Sequence, residues 1–233
     1  MQGNTSRERV HTIIFSDTHV GSPLFLEKAF RAAFDRYEVE QIIGNGDIVD
    51  GANFEHAALE SINDEVRRGA TVVWLRGNHD DVSPTTEGVR EEYGWKYSGK
   101  RFLAMHGDQF DLFVHRNRRI SGIGAWIYRK IQRSGPIGRS ICARLKQYAK
   151  KYTRAFDYIA DGAIEYAARN KIDHVFCGHT HHADHRFQNG VQYYNSGCWT
   201  SLPYSFITIG ERGIRTHYFN REGDELRIES YPI

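Results

Sequence analysis

The sequence has few cysteines and no long apolar run. Its three cysteines, Cys142, Cys177 and Cys198, are too widely spaced for a disulfide framework or a cysteine-based zinc site, so we expect buried thiols. No apolar stretch approaches the ~20 residues that cross a bilayer. The first ten residues are polar, and no apolar run of signal-peptide length follows them. We therefore expect a cytoplasmic protein.

Acidic residues are missing from residues 116–154, which hold 12 Lys and Arg. The net charge of the whole chain is only +2, so the remainder carries −10. A basic block within an otherwise acidic protein indicates a surface that faces an anionic partner. With 40% hydrophobic residues, the chain can bury a full core.

Hydrophobic periodicity predicts an α/β domain, because short apolar runs alternate with helical spacing in the first half. Predicted helices cover the stripe at 26–37 and residues 52–68. An Asn189-Gly190 hairpin and later strands predict antiparallel structure towards the C-terminus. The predicted strands cover residues 12–15, 41–43, 71–75, 102–105, 174–177, 184–188, 191–194, 206–209 and 214–219.

Residues 112–170 break the strand pattern. Apolar residues recur there at helical spacing in two stretches, 120–131 and 141–159, which Ser134-Gly135-Pro136 separates. We therefore expect an inserted, basic, amphipathic helical hairpin at 112–170, between the two parts of the α/β domain at 1–111 and 171–233.

Chemically reactive side chains follow five of the predicted strands, where ligands bind in α/β sheets. These residues are Asp17, His19, Asp47, Asn78, His79, Asp80, His106, His179 and His181. Imidazoles, carboxylates and an amide oxygen suit Mn²⁺, Fe²⁺ or Zn²⁺. Two such ions, about 3.5–4 Å apart, suit phosphate ester hydrolysis. The sequence therefore predicts a two-metal phosphoesterase.

The motifs D-x-H, G-D, G-N-H-[DE], H and G-H-x-H occur in this order between Asp17 and His181. This order resembles the calcineurin-like metallophosphoesterase family. The resemblance implies a four-layer α-β-β-α sandwich, here with the helical hairpin as a lid. It also implies two divalent metal ions, for which we expect Mn²⁺, with Fe²⁺ or Zn²⁺ as alternatives.

The same resemblance implies a role for each of these side chains. One ion would be bound by Asp17, His19 and His181, the other by Asn78, His106 and His179, and Asp47 would bridge them. His79 would stabilise the transferring phosphoryl group or protonate the leaving oxygen. Asp80 would orient His79.

Three longer motifs, at 106–111, 178–182 and 194–199, resemble one branch, the UDP-2,3-diacylglucosamine diphosphatase group. That resemblance implies cleavage of the pyrophosphate or phosphodiester bond of a nucleotide-linked lipid. The basic hairpin would then contact the substrate and an anionic membrane surface peripherally. We expect no obligate protein partner. The predicted substrate contacts are Arg116, Arg119, Tyr148, Tyr152 and His182.

Other functions stay open at this point. The lipid A enzymes carry Arg at the position of His79, and basic helices also suit a nucleic acid backbone, so the protein could be a general phosphodiesterase or nuclease. The hairpin could also simply pack on the core with a solvated basic face. A metal-binding scaffold without activity predicts lost ligands, and none is missing.

Four histidines outside the motifs are expected to be structural or at the surface: His11, His56, His174 and His217. His185 is expected to lie nearer the site.

Overall fold

The computed structural model describes residues 7–50, 57–80, 89–111 and 150–233. Side chains are described from Glu60 in the second helix and from Phe156 in the third. The order of elements is β1 (Glu8–Phe15), α1 (Glu27–Phe34), β2 (Tyr37–Asn45), α2 (Ala57–Arg67), β3 (Thr71–Leu75), β4 (Glu92–Tyr97), β5 (Lys100–Met105), the 3-10 turn η1 (Asp108–Phe110), α3 (Lys150–Arg169), β6 (His174–Cys177), β7 (Asp184–Gln188), β8 (Val191–Asn195), β9 (Tyr204–Gly210), β10 (Gly213–Phe219) and β11 (Glu225–Tyr231).

These strands form two sheets. The first has the order β11-β10-β9-β1-β2-β3, and the second has the order β4-β5-β6-β8-β7. Strands β1, β2 and β3 pair in parallel, as expected for two βαβ units. Strand β6 lies parallel to both β5 and β8. Two parallel groups of strands therefore end at the loops that carry the predicted site residues.

The helices and sheets form four layers, and a hydrophobic cluster fills each of the three spaces between them. One cluster packs α1 and α2 on the first sheet and includes Phe30, Phe34 and Ile62. A second lies between the sheets and contains Ile14 and Phe176. The third packs α3 on the second sheet through buried small and apolar residues, Ala160, Ala163, Ile164 and Ala167. The predicted α-β-β-α sandwich is confirmed.

Most of the predicted strands lie inside observed strands, but β4 and β11 were missed. Both are edge strands, and every residue of β4 and β11 is exposed or only half-buried. Most of β11 is exposed, so periodicity gives a weak signal there. In β4, Tyr93, Trp95 and Tyr97 alternate with more exposed residues and pack on the cluster between the sheets, and this period of two was overlooked.

Tyr37 was wrongly placed in the first helical stripe. Helix α1 ends at Phe34, and Tyr37 opens β2, where it pairs with Glu8. Its ring packs edge-on against Phe206 of β9, at a centroid distance of 5.6 Å. Tyr37 thus joins the same core as α1, but from a strand.

The predicted lid at 112–170 lies largely outside the described residues. Within α3, the stretch from Phe156 packs on the second sheet, so this part of the predicted insertion belongs to the sandwich layers. The division into a catalytic domain and a cap stays a prediction. Among the described residues, no helix combines the length and hydrophobicity that a membrane span requires.

Candidate metal centre

The predicted ligands lie on loops that backbone hydrogen bonds tie together. The amide of Asp17, after β1, donates to the carbonyl of Gly46, after β2, over 3.0 Å. The amide of Gly178, after β6, donates to the carbonyl of His106, after β5, over 2.9 Å. Because these bonds link neighbouring strand ends in both sheets, the side chains meet at one edge of the sandwich.

Five of the predicted ligands have a left-handed backbone. The φ angles are +51° at Asp17, +46° at His19, +54° at Asp47, +67° at His179 and +57° at His181. A positive φ is uncommon in residues other than glycine and is maintained only where the surrounding structure compensates for its cost. The positive φ angles therefore mark sharp backbone turns at these ligands, in the loops directly after β1, β2 and β6.

Asp17, His19 and His181 form the first cluster, which is the set that the family resemblance assigns to one ion. Nε2 of His181 lies 3.2 Å from Oδ1 of Asp17. The rings of His19 and His181 are 5.4 Å apart between centroids. One potential ligand atom from each residue lies within 4.8 Å of the other two, so a single ion could contact all three.

Asp47 and His106 form the second cluster, again with Asp17. Oδ2 of Asp47 lies 3.6 Å from Nε2 of His106 and 3.8 Å from Nε2 of His19. Asp47 thus faces one imidazole from each predicted ion site, as a bridging ligand must. The ring of His179 lies 5.2 Å from that of His106, so the histidines pair as the resemblance implies.

The charges and unpaired atoms of the two clusters fit a metal centre. Asp17 is fully buried and Asp47 is 2% exposed. Within the described structure, Nε2 of His106 has no hydrogen-bond partner, while Oδ1 of Asp17 faces Nε2 of His181. Two buried carboxylates beside a buried imidazole nitrogen without a hydrogen bond can hold a cation, and this mixed donor set suits Mn²⁺, Fe²⁺ or Zn²⁺.

The protonation equilibria show the same need for positive charge. Burial works against the charged form of Asp47, but the neighbouring His106 outweighs it and the pKa of Asp47 is lowered. Burial also works against a protonated His106, but Asp47 and then Asp17 raise its pKa to about 10. The carboxylates therefore draw a proton onto His106, and a bound metal ion would take the place of that proton.

Hydrogen bonds to the other ring nitrogen orient two of these histidines. Nδ1 of His106 lies 2.8 Å from the backbone carbonyl of Asn45, and Nδ1 of His19 lies 2.9 Å from Oδ1 of Asp50. A carbonyl or carboxylate oxygen accepts, so Nδ1 donates in both rings. In the neutral ring, Nε2 therefore carries the lone pair, on the side that faces Asp47.

Two motif glycines leave room for the carboxylates. A Cβ atom on Gly77 would lie 2.1 Å from Oδ1 of Asp47, and one on Gly178 would lie 2.8 Å from Oδ2 of Asp17. Any side chain at either position would displace a predicted ligand. The glycines of G-N-H-D and G-H-T-H are therefore explained by the close approach of a backbone to a buried carboxylate.

Asp80 joins the loops after β2 and β3. Its carboxylate accepts hydrogen bonds from three backbone amides, of Asp47 at 2.9 Å, Ile48 at 3.1 Å and Gly77 at 2.8 Å. Burial raises the pKa of Asp80, and Asp47 raises it further. The described contacts give Asp80 a role in holding the loops together, and its predicted role in orienting His79 stays a prediction.

The side chains of His79 and Asn78 lie at the rim of the site. The ring of His79 is half-buried and lies edge-on to the ring of His19, at a centroid distance of 5.6 Å. Asn78 is exposed. His79 thus lies beside the first cluster, and its role in catalysis stays a prediction.

The predicted substrate contacts are mostly outside the described structure. Arg116, Arg119 and Tyr148 lie outside the described residues, and Tyr152 lies in α3 before its first described side chain. His182 is exposed and stacks on Phe156, with ring centroids 5.9 Å apart. The proposed roles of all five stay predictions.

The remaining histidines lie away from the clusters or outside the described residues, whereas the Cys198 thiol contacts His181 of the first cluster. His11 contacts Tyr97, His174 stacks on Phe102, and His185 packs on Tyr231, while His217 is fully buried. Cys177 and Cys198 are buried free thiols, as expected. His56 and Cys142 lie outside the described residues.

Sequence reasoning missed two carboxylates that hold the predicted ligands. Asp50 contacts His19, and Oδ2 of Asp111 lies 3.1 Å from Nε2 of His179. Asp50 stands three residues after Asp47, and Asp111 ends a motif noted only for its family resemblance. The general tendency of ligand histidines to donate their second N–H to a carboxylate could have drawn attention to both.

Comparison with known proteins settles the family. The sequence model of the family described as calcineurin-like phosphoesterase matches residues 10–183, which is most of the chain. The chain belongs to the calcineurin-like phosphoesterase family. The matched region contains every predicted ligand, from Asp17 to His181.

Similar proteins come from several functional contexts. The DNA polymerase II small subunit of Pyrococcus horikoshii is 24% identical over 232 residues, and the match covers 82% of this chain but only 37% of that protein. Wild-type Vps29 of Entamoeba histolytica, solved with Zn²⁺, is 16% identical with a TM-score of 0.50, over 94% of this chain and 96% of that one. A structure described as a novel archaeal phosphodiesterase is 17% identical with a TM-score of 0.50, over 89% and 99%. The two structures show a shared fold.

Proposed function

We propose that this protein is a dinuclear metal-dependent hydrolase of phosphodiesters. The observation that carries the proposal is the geometry of Asp17 and Asp47, two buried carboxylates that lie between two pairs of histidines. Oxygens and imidazole nitrogens in this arrangement fit two divalent ions that share Asp47. When bound, such ions polarise a phosphoryl oxygen and lower the pKa of a water molecule.

The chain's own residues would then position the substrate and move one proton. Water would attack phosphorus from the side opposite the leaving oxygen and would release one proton to solvent, while the bond from phosphorus to the leaving oxygen breaks and that oxygen takes up one proton. We assign the donation of this proton to His79, and its half-buried position next to His19 at the rim of the site supports that role. An imidazole can carry this proton near neutral pH.

A phosphodiester is favoured over a lipid-linked pyrophosphate because of the relatives. One similar structure is described as an archaeal phosphodiesterase, and one similar sequence is a DNA polymerase small subunit, of which this chain spans about a third. None of the three relatives is named as a UDP-2,3-diacylglucosamine diphosphatase. The lipid prediction came from the motif resemblance at 106–111, 178–182 and 194–199, and the membrane prediction came from residues 116–154, most of which lie outside the described structure.

A substrate panel tests this proposal. The protein is freed of metal with EDTA, reloaded with Mn²⁺, and assayed on bis-p-nitrophenyl phosphate, on oligonucleotides and on UDP-2,3-diacylglucosamine. We expect the largest kcat/KM on a phosphodiester, and no turnover by Asp47→Asn. If kcat/KM is highest for UDP-2,3-diacylglucosamine, the proposed phosphodiester substrate is wrong and the lipid-linked pyrophosphate is the substrate. Equal turnover by the metal-free protein would refute the metal-dependent mechanism.

A further inference from the structure

Asp111 contacts Nε2 of His179, whereas the partners of His19 and His106 contact Nδ1. Nε2 of His179 lies 3.1 Å from Oδ2 of Asp111, and the two side chains are only 11% and 14% exposed. The carboxylate accepts, so Nε2 donates and Nδ1 keeps the lone pair. In His19 and His106 the hydrogen bond is at Nδ1, which leaves Nε2 instead.

This reversal matters because His179 and His181 share one short loop. Both have a positive φ and are separated only by Thr180. His181 directs Nε2 at Asp17 of the first cluster, and its Nδ1 lies 3.3 Å from Oγ1 of Thr200. His179 lies with its ring against His106 of the second cluster. Opposite ring nitrogens would let two neighbouring histidines bind two different ions.

Helix α3 holds the turn that carries Asp111. Asp111 directly follows η1, and its amide donates to the carbonyl of Asp108 over 3.0 Å. In α3, a Cβ atom on Gly162 would lie 2.8 Å from the ring of Phe110, so helix and turn are in close contact. Gly107 opens the turn with φ +103°, and a Cβ atom there would lie 3.3 Å from Ile159 of α3, which is closer than an ordinary contact.

The same helix also contacts the loop and strand that follow His179. Phe156 stacks on His182 with an interplanar angle of 9°. Asp157 pairs with Arg186 of β7, over 2.9 Å between Oδ1 and Nη1. Helix α3 therefore touches both chain segments that must stay in register for Asp111 to reach His179.

We propose that Asp111 is a positioning residue for the second metal ion, which fixes His179 so that Nδ1 binds the ion, and that α3 holds the two residues together. The inference rests on the proposed function, since it concerns the same dinuclear site. Asp111 itself is not assigned to either ion. It acts through His179.

Mn²⁺ titration of three variants of the full chain tests the inference. Bound Mn²⁺ per chain and dissociation constants are measured after EDTA treatment, and electron paramagnetic resonance reports coupling between two ions. We expect two ions for the wild type. Asp111→Ala should keep the first ion and bind the second roughly 10–100-fold more weakly, with loss of the coupled spectrum. The affinity of Asp111→Asn for the second ion should lie between those of the wild type and Asp111→Ala, because the amide oxygen can still accept a hydrogen bond.

The matched control is Asp161→Ala, which removes the same charge from an exposed position on α3. It should bind both ions as the wild type does. Far-ultraviolet circular dichroism checks that each variant folds, and Asp111→Asn keeps the side-chain shape if Asp111→Ala does not fold. Two ions bound to Asp111→Ala with wild-type constants would overturn the inference alone. Fewer than two ions in the wild type would overturn the proposed dinuclear function with it.

Discussion

The backbone amide of His79 donates a hydrogen bond to Oδ1 of Asp47 over 2.8 Å, which ties the loop after β3 to the predicted bridging carboxylate. This bond comes from the main chain of His79, so it does not require the imidazole. The position of Asp47 should therefore not depend on the imidazole, and binding and chemistry can be separated by experiment.

His79→Ala should keep both metal ions and lose most of its turnover. We expect kcat on bis-p-nitrophenyl phosphate to fall about 10²–10⁴-fold, the usual contribution of a general acid, while bound Mn²⁺ per chain is unchanged. His11→Ala is the control, because that ring packs on Tyr97 outside the clusters. Wild-type turnover by His79→Ala would remove the imidazole from the mechanism.

Gly77→Ala should damage the metal site more than the fold. The new Cβ would lie 2.1 Å from Oδ1 of Asp47 and 2.3 Å from its backbone nitrogen, so the loop or the ligand must move. We expect at least tenfold weaker Mn²⁺ binding and a loss of about 1–3 kcal/mol in the free energy of unfolding, the range for an overpacked site.

Gly94→Ala in β4 is the matched control. The nearest contact of its Cβ would be the carbonyl oxygen of Phe102, at an ordinary 3.7 Å. Its Mn²⁺ affinity should equal that of the wild type. If both glycine variants bound Mn²⁺ equally well, the close approach of Gly77 to Asp47 would have no functional meaning.

Asp50 should act on the first ion as Asp111 acts on the second. Oδ1 of Asp50 lies 2.9 Å from Nδ1 of His19, which belongs to the first cluster. Asp50→Ala should weaken the binding of the first ion by about 10–100-fold, which is the typical effect of removing the hydrogen-bond partner of a ligand histidine. Titration with Mn²⁺ measures the two constants, and a loss confined to the second ion would reverse the assignment.

His174 should make stability depend on pH at a distance from the site. Burial lowers the pKa of His174 to about 4 from its usual 6.5, and the ring stacks on Phe102 at 4.6 Å between centroids. The unfolded chain therefore takes up the proton first. This contribution to stability is complete above about pH 6.5 and is lost as the pH falls towards 4.

His174→Phe should abolish that contribution and keep the stack. Urea unfolding of the metal-free proteins at pH 7 and pH 5 gives the change in the free energy of unfolding between these two pH values, once for the wild type and once for the variant. The wild type should lose more stability at pH 5 than the variant does. An equal loss in both would show that His174 does not titrate in this window.

The site was more predictable from the sequence than the details around it. Ligand residues follow buried parallel strands, whose hydrophobic runs are strong signals, so the loops after β1, β2, β3, β5 and β6 could be located before any coordinates. The edge strand β11 could not be located, because most of it is exposed, whereas the alternation of Tyr93, Trp95 and Tyr97 could have revealed β4. The part of α3 from Phe156 was grouped with a lid because amphipathic periodicity shows that a face is buried but not which sheet covers it.

The supporting carboxylates were missed for a different reason. Asp50 and Asp111 act through contacts with His19 and His179, and a contact between side chains far apart in sequence leaves no local pattern. Asp111 and His179 are 68 residues apart. Only the fold brings the turn η1 and the loop after β6 together.

The most direct test of the central claim measures phosphodiester hydrolysis against bound metal in the same sample. Metal-free protein is titrated with Mn²⁺, and the rate on bis-p-nitrophenyl phosphate is recorded at each number of bound ions per chain, for the wild type and for Asp47→Asn. A dinuclear site predicts little activity with one ion, full activity with two, and an inactive variant that fails to hold the pair. Full activity with a single ion, or in Asp47→Asn, would contradict the two-metal account.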